Sequence, residues 1–193
     1  FIGTTNEQPF FLYLSYASPH AALQVPDEEL AQYLTFEETP YTATRNYLPH
    51  PKPRAARAAM ISNIDHSVGA IMDRLEELEI SDNTLVIFSS DNGPTPEGGG
   101  DMEFFDSNSI YRGYKRDLYE GGIRMPTLAR WPGRIQPGSR SDHVSAFWDL
   151  MPTLARLAGT EPPNNDGLSF LPALLQEEGQ EQHRSLYWEF HNT

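Results

Sequence analysis

The sequence predicts an α/β domain built on a mostly parallel sheet flanked by helices. Three observations carry that expectation: two continuously apolar runs of strand length, one long stretch of helical periodicity between them, and a chain of 193 residues, long enough to enclose a single sizeable core. A strand, a helical crossover and another buried-type strand form the unit from which parallel sheets are assembled, with right-handed connections.

The first strand is expected at residues 10–15, FFLYLS, an aromatic and aliphatic run without alternation, as in a strand covered on both faces. It ends at Ser18-Pro19-His20. Residues 21–53 are Pro-rich and polar, a surface excursion with a short helical candidate at 27–34. Pro53 then precedes the strongest helix, in which Ala56, Met60, Ile64, Val68, Ile71, Met72, Leu75 and Leu78 recur at three- and four-residue spacing. Ser81-Asp82-Asn83 closes it as a turn cluster, and residues 84–90, TLVIFSS, resume as a β-branched, apolar strand.

Asp91-Asn92-Gly93-Pro94 follows that strand immediately, and a glycine-rich loop continues through Gly98-Gly99-Gly100 to about Gly122. A loop of that length in a compact domain is more often functional than idle. A further short strand is expected at 125–131, ended by Pro132-Gly133. Residues 149–158 read as a helix with Leu150, Met151, Leu154 and Leu157 on one face, Pro152 tolerated in the first turn and Gly159 closing it. The tail carries a Pro- and Asn-rich turn, an apolar piece at 168–175 and a strand at 185–190.

Charge and composition exclude several classes. With 14 Lys+Arg against 27 Asp+Glu and a formal charge of −13, the chain lacks the basic surface that a polyphosphate backbone requires, so no nucleic acid partner is expected. No stretch reaches the roughly 18 consecutive apolar residues of a membrane helix, so no membrane span is expected. The absence of cysteine excludes a thiol nucleophile, a thiolate metal site and a disulfide within this stretch. The chain opens with Phe1 and no secretory leader, which reads as a mature or excised piece.

In open parallel sheets, ligands gather beyond the carboxyl ends of the strands, where loops converge. His20 falls there after the first strand, and Asp91-Asn92 after the second. Taken alone, each has an ordinary reading, a solvent-facing histidine and a common turn. Asp91 and Asn92 both present oxygens, and a sharp turn at Gly93 can aim adjacent side chains at one point. Oxygen donors without Cys or clustered His suit a hard cation, Ca²⁺ or Mg²⁺, better than zinc. Calcium takes about 6–8 oxygens, so this pair is an incomplete shell. The histidines at 20, 50, 66, 143, 183 and 191 show no HxxxH spacing, which argues against zinc.

The loop 111–126, YRGYKRDLYEGGIRMP, concentrates Arg112, Lys115, Arg116 and Arg124 in an otherwise acidic chain. Such cations suit a small tetrahedral anion, because an ammonium donates to an oxyanion while offsetting its charge. The other reading is a solvated loop whose charges pair with Asp117 and Glu120. Neither GxGxxG nor GxxxxGK[ST] occurs, so the usual nucleotide phosphate loops are unsupported. Asp65 and His66 are read as helix surface, and Asp101, Glu103 and Asp106 as an acidic solvated loop.

Taken in order, Ser18-Pro19-His20, 65–75 (DHSVGAIMDRL), 82–94 (DNTLVIFSSDNGP), 112–126 (RGYKRDLYEGGIRMP), Trp131-Pro132-Gly133 and 149–159 (DLMPTLARLAG) resemble the arylsulfatase-type sulfatase family. The resemblance implies an alkaline-phosphatase-like α/β core and hydrolysis of sulfate esters, with sulfated carbohydrates as the expected substrates. Carried over position by position, Asp91 and Asn92 resemble two ligands of the family's active-site calcium, with magnesium as the alternative. Lys115 resembles the lysine that contacts the substrate sulfate. His20 resembles the histidine at the leaving-group oxygen, where it binds sulfate and serves as general acid. In physical terms the cation and Lys115 would neutralise sulfate oxygens while His20 spares the reaction a bare alkoxide.

Departures from the family pattern set further expectations. The family's nucleophile is the hydrate of a formylglycine made from Cys or Ser in [CS]-x-P-x-R, with further acidic metal ligands on an earlier strand. This chain has no Cys, and no Ser in it starts that pattern. Residues 1–193 are therefore expected to be the latter part of a sulfatase catalytic domain, inactive by itself, with the nucleophile-bearing part before it and the family's small C-terminal domain after it. Thr95 stands where many similar sequences have His. By family habit the location is periplasmic, secreted or lysosomal. Two other readings remain at this stage: a superfamily phosphatase, phosphonate hydrolase or phosphotransferase, and a noncatalytic binding module with a sulfatase-like fold.

Overall fold

The computed structural model describes residues 2–4, 8–42 and 47–191. Part of the expected surface excursion, residues 43–46, lies outside the described residues. The architecture is organised by one long helix. Asp27–Leu30 forms a single-turn helix (α1) and continues as a 3-10 turn, Ala31–Tyr33. The long helix (α2) spans Pro53–Glu77, with proline at its first position, where a missing N–H costs nothing.

The first two turns of α2 are the most buried. Ala55, Ala56 and Ala59 are fully enclosed and Met60 nearly so, because side chains that stop at Cβ let the surrounding loops approach closely. Leu23 packs on Ala56 and Met60, with Val25 and Leu30 behind it. The rest of the expected apolar face, at Ile64, Val68, Ile71, Met72 and Leu78, is half-covered, and Leu75 near the end is buried. The C-terminal carbonyls are satisfied locally: the Ile80 N–H donates to Leu75 O at 3.0 Å and the Glu79 N–H to Glu76 O at 2.9 Å.

Two strands follow, β1 at Val86–Ser89 and β2 at Thr127–Arg130. They pair antiparallel, Val86 opposite Arg130, Ile87 opposite Ala129, Phe88 opposite Leu128 and Ser89 opposite Thr127. The mostly parallel sheet expected from the sequence is therefore not formed among the described residues. Parallel neighbours need a crossover, usually helical. The connection from β1 to β2 instead folds back on itself and returns the chain beside the strand it left. Residues 10–15 join neither strand, and Phe11 and Tyr13 are 70% and 72% exposed. Residues 185–190 also lie outside any ladder.

Three short helices complete the described chain: α3 at Glu120–Ile123, α4 at Leu150–Leu157 and α5 at Leu171–Leu175. The entry to α4 is organised by Asp149, which is fully buried. Its carboxylate accepts from the Ala146 N–H at 2.7 Å, the Leu168 N–H at 2.8 Å and His183 Nε2 at 2.8 Å. Thr153 Oγ1 donates to Asp149 O at 2.7 Å and accepts from the Phe170 N–H at 3.0 Å. Two short polar side chains thus tie α4 to the start of α5 and to the tail.

Candidate active site

The loop after β1 and the loop before β2 are clasped by backbone hydrogen bonds. The Gly93 N–H donates to Gly122 O at 2.9 Å, the Lys115 N–H to Pro94 O at 2.8 Å, and the Gly121 N–H to Arg112 O at 2.8 Å. The approach is so close that a Cβ on Gly93 would lie 1.8 Å from Gly121 O. Glycine at 93 and at 121–122 is thus demanded by contact of main chain with main chain, and the clasp brings the Asp91-Asn92 turn and the Lys115 segment together.

The triple glycine is explained in the same way. Gly98 has φ 64°, and a Cβ there would sit 2.3 Å from the Cβ of Ala21. A Cβ on Gly99, φ 89°, would sit 2.8 Å from the Cβ of Tyr41. The 3-10 turn Glu97–Gly99 is pressed against the segment that follows His20. Tyr47 stands between them: its ring meets that of His20 edge-on at 5.9 Å, and its hydroxyl donates to Glu97 Oε2 at 3.2 Å.

The four expected site residues occupy this junction as follows. Asp91 is exposed and Asn92 half-buried. Asn92 Nδ2 donates to Gly93 O at 2.8 Å, which turns its Oδ1 to the other side. His20 is exposed, and its Nδ1 donates to Ala21 O at 2.5 Å; since a carbonyl only accepts, that bond puts a proton on Nδ1 and leaves Nε2 as the ring nitrogen without a hydrogen-bond partner among the described residues. Lys115 is half-buried. Contacts through Tyr47, Glu97 and Pro94 link the segments that carry His20, Lys115 and the Asp91-Asn92 turn, and among the described residues no hydrogen bond joins any two of these four side chains.

The other cations of the loop are engaged. Arg112 stacks over Tyr119 at 3.8 Å. Arg116 forms an ion pair with Glu97. Arg124 pairs with Glu120 at 3.2 Å and lies over Tyr111 at 4.9 Å. Asp117 takes no cation; its Oδ2 accepts from the Tyr114 N–H at 3.0 Å and shapes the turn. Of the pairings expected for a solvated loop, only Arg124 with Glu120 is formed; Arg116 is taken by Glu97 and Arg112 by the Tyr119 ring, whereas the Lys115 ammonium makes no hydrogen bond or ion pair among the described residues.

Glu97, Tyr47 and Arg57, none of them singled out in the sequence, hold the junction. Glu97 receives Arg116, Tyr47 and the field of Lys115. Burial raises its pKa, but the hydrogen bonds from Arg116 and Tyr47 and the charges of Arg116 and Lys115 prevail and hold it below the ordinary carboxylate value. Arg57 of α2 is 6% exposed, and its Nη2 donates to Thr95 O at 3.1 Å. Its Nε is buried without a partner among the described residues, and burial lowers its pKa. Thr95 is itself buried, and its Oγ1 accepts from the Glu97 N–H at 3.2 Å, so this position braces the turn. Asp101, expected as a solvated acid, pairs with Arg54 at 2.7 Å and accepts from the Phe104 N–H at 2.9 Å. His66 meets Glu29 at 3.0 Å on the α2 surface.

Asp91 and Asn92 suit a hard cation by donor type, and among the described residues no cluster of three or more His, Cys, Asp or Glu stands ready to hold a metal. The pair fits as one part of an oxygen shell. A cation here needs further donors.

The chain is similar to known proteins. A family profile described as Sulfatase matches residues 1–160. Steryl-sulfatase of Rattus norvegicus is 33% identical over 192 residues, 97% of this chain and 30% of that protein. N-acetylgalactosamine-6-sulfatase of Homo sapiens is 34% identical over 178 residues, 89% of this chain and 29% of that protein. The crystal structure of Ps i-CgsB in complex with k-i-k-neocarrahexaose superposes with a TM-score of 0.75 at 32% identity, covering 91% of this chain and 36% of that one. The chain spans about a third of the length of the relatives it matches.

Proposed function

This chain belongs to the sulfatase family, and on that premise we propose that it supplies part of the active site of a sulfuric ester hydrolase acting on sulfated carbohydrates. One observation carries the reading: among the described residues the Lys115 ammonium has no hydrogen bond, ion pair or stacked ring, unlike the three arginines of its loop, and it sits on a segment hydrogen-bonded to the turn that bears Asp91 and Asn92. The carbohydrate preference rests on the relatives, one named for N-acetylgalactosamine-6-sulfate and one crystallised with a neocarrahexaose.

In this reading Lys115 donates to sulfate oxygens and offsets the charge that builds on them. His20, its Nδ1–H held by Ala21 O, directs Nε2 to the ester oxygen; as imidazolium it gives up the Nε2 proton, so the leaving group departs as an alcohol. Asp91 and Asn92 would hold a calcium ion, or magnesium, with donors from elsewhere in the protein, and the bound ion supplies Lewis-acid polarisation of the sulfate. The nucleophile is assigned to a formylglycine outside residues 1–193, and residues 10–15 with β1 to a larger, mostly parallel sheet of the assembled catalytic domain.

The test separates the parts. Residues 1–193 alone, given calcium and an aryl sulfate, should release no sulfate. The longer protein carrying a [CS]-x-P-x-R segment should hydrolyse it and lose about 100-fold or more in kcat with Lys115→Ala. Sulfate release by residues 1–193 that Lys115→Ala abolishes would refute the external nucleophile. Undiminished turnover by the Lys115→Ala longer protein would refute the assignment of the lysine.

A further inference from the structure

Resting on that reading, we propose that Glu97 is the positioning residue of the site: its carboxylate, shared between Arg116 and Tyr47, sets the Lys115 segment and the His20 ring against the Asp91-Asn92 turn. Three loops far apart in sequence meet at this one side chain. Oε1 takes Arg116, the residue next to Lys115. Oε2 takes the Tyr47 hydroxyl at 3.2 Å, and the Tyr47 ring bears on His20 at 5.9 Å. The Lys115 N–H, in turn, donates to Pro94 O at 2.8 Å, two residues beyond Asn92.

The backbone at Arg116 shows why this contact is needed. Arg116 has φ 79°, a left-handed conformation that a long side chain rarely adopts without an external hold. That conformation fixes the direction in which the preceding residue leaves the chain, so the ion pair that secures Arg116 also aims Lys115. Glu97 can serve as an anchor because it is held from behind. Its N–H donates to Thr95 Oγ1 at 3.2 Å, and Thr95 O accepts from Arg57 at 3.1 Å, on the most enclosed part of α2. The chain of contacts thus runs from a buried part of the helix to an exposed loop. Arg116 is 52% exposed at its side chain and Glu97 19%, and a pair so placed contributes little to global stability. Its consequence is geometry.

The experiment is residue-resolved amide hydrogen exchange on residues 1–193, with Glu97→Ala and Glu97→Gln. Glu97→Ala should speed exchange of the Lys115 amide by about tenfold or more while α2 amides stay within about twofold of the native chain. Glu97→Gln, which still accepts from Tyr47 but forms no ion pair, should fall between. In the longer protein, Glu97→Ala should lower kcat by about tenfold while KM changes less than about threefold, and Glu97→Gln should recover part of the loss. Unchanged Lys115 exchange with α2 intact overturns the proposal. So does loss of α2 protection in both variants, which would make Glu97 a determinant of the fold. If the longer protein hydrolyses no sulfate ester, the functional reading fails, and the exchange measurement still decides whether Glu97 positions Lys115.

Discussion

Asp149 shows how much one buried side chain can organise. Its carboxylate accepts from two backbone N–H groups, those of Ala146 and Leu168, and from His183, and none of it reaches solvent. Ala146 has no side-chain acceptor to return the bond, so the reach-back arm alone caps this turn. Replacing the carboxylate by a methyl group strands three donors in a closed space. Asp149→Ala is therefore expected to cost about 3–5 kcal/mol, read as a lowered urea midpoint with an unchanged slope. A loss below about 1 kcal/mol would mean that water replaces the carboxylate and the region is open. The same residue scale governs the loop cations: an arginine beside an aromatic ring or a carboxylate is committed, and the lysine next to Arg116 is left available.

At the scale of elements, glycine separates the two ways a chain can be held. Gly69 lies in α2 on the solvent side, and nothing is within 4 Å of where its Cβ would be. Gly69→Ala should stabilise the chain by about 0.5–1 kcal/mol, through helix propensity and lost freedom in the unfolded state. Gly93 lies in the clasp, where a Cβ would meet Gly121 O at 1.8 Å. Gly93→Ala should destabilise by about 1–3 kcal/mol and part the two loops. Matched thermal melts of the two variants check this, and melts displaced in the same direction would refute the account of the clasp. Some elements that depend on local pattern were legible in the sequence, whereas the apolar runs at 10–15 and 185–190 form no strand among the described residues. The periodic residues from Ala56 to Leu78 outline α2, and TLVIFSS and the 125–131 run each contain the strand observed. The direction of pairing was not legible, because it depends on how 37 residues between the strands fold back. Of the candidate site, Asp91, Asn92 and His20 stand out by residue type and by their place after expected strands, whereas Lys115 is set apart from the neighbouring arginines only by the family resemblance. Glu97 could not be singled out, since an acid among glycines looks solvated until Arg116, 19 residues on, closes upon it.

At the scale of the whole molecule, an apolar surface is set against a large net charge. Along residues 11–14 four consecutive apolar side chains are exposed, Phe11 and Tyr13 at 70% and 72%, Leu12 and Leu14 at 37% and 47%. Leu128 on β2 adds another exposed apolar side chain at 65%. An extended, unpaired, apolar segment is a template for association. Opposing it, the formal charge of −13 makes copies of the chain repel one another. Salt screens that repulsion, the Debye length falling from about 20 Å at about 20 mM to about 4 Å at about 500 mM, and leaves the apolar contact in place. Residues 1–193 should therefore be dispersed at low salt and self-associate as salt rises, by light scattering at fixed concentration. The double variant Phe11→Ser, Tyr13→Ser should stay dispersed throughout, because it removes the two more exposed side chains without touching α2 or the clasp. Association with the same salt dependence in that variant would place the adhesive surface elsewhere, with Leu128 and its neighbours on the strand pair the next to replace.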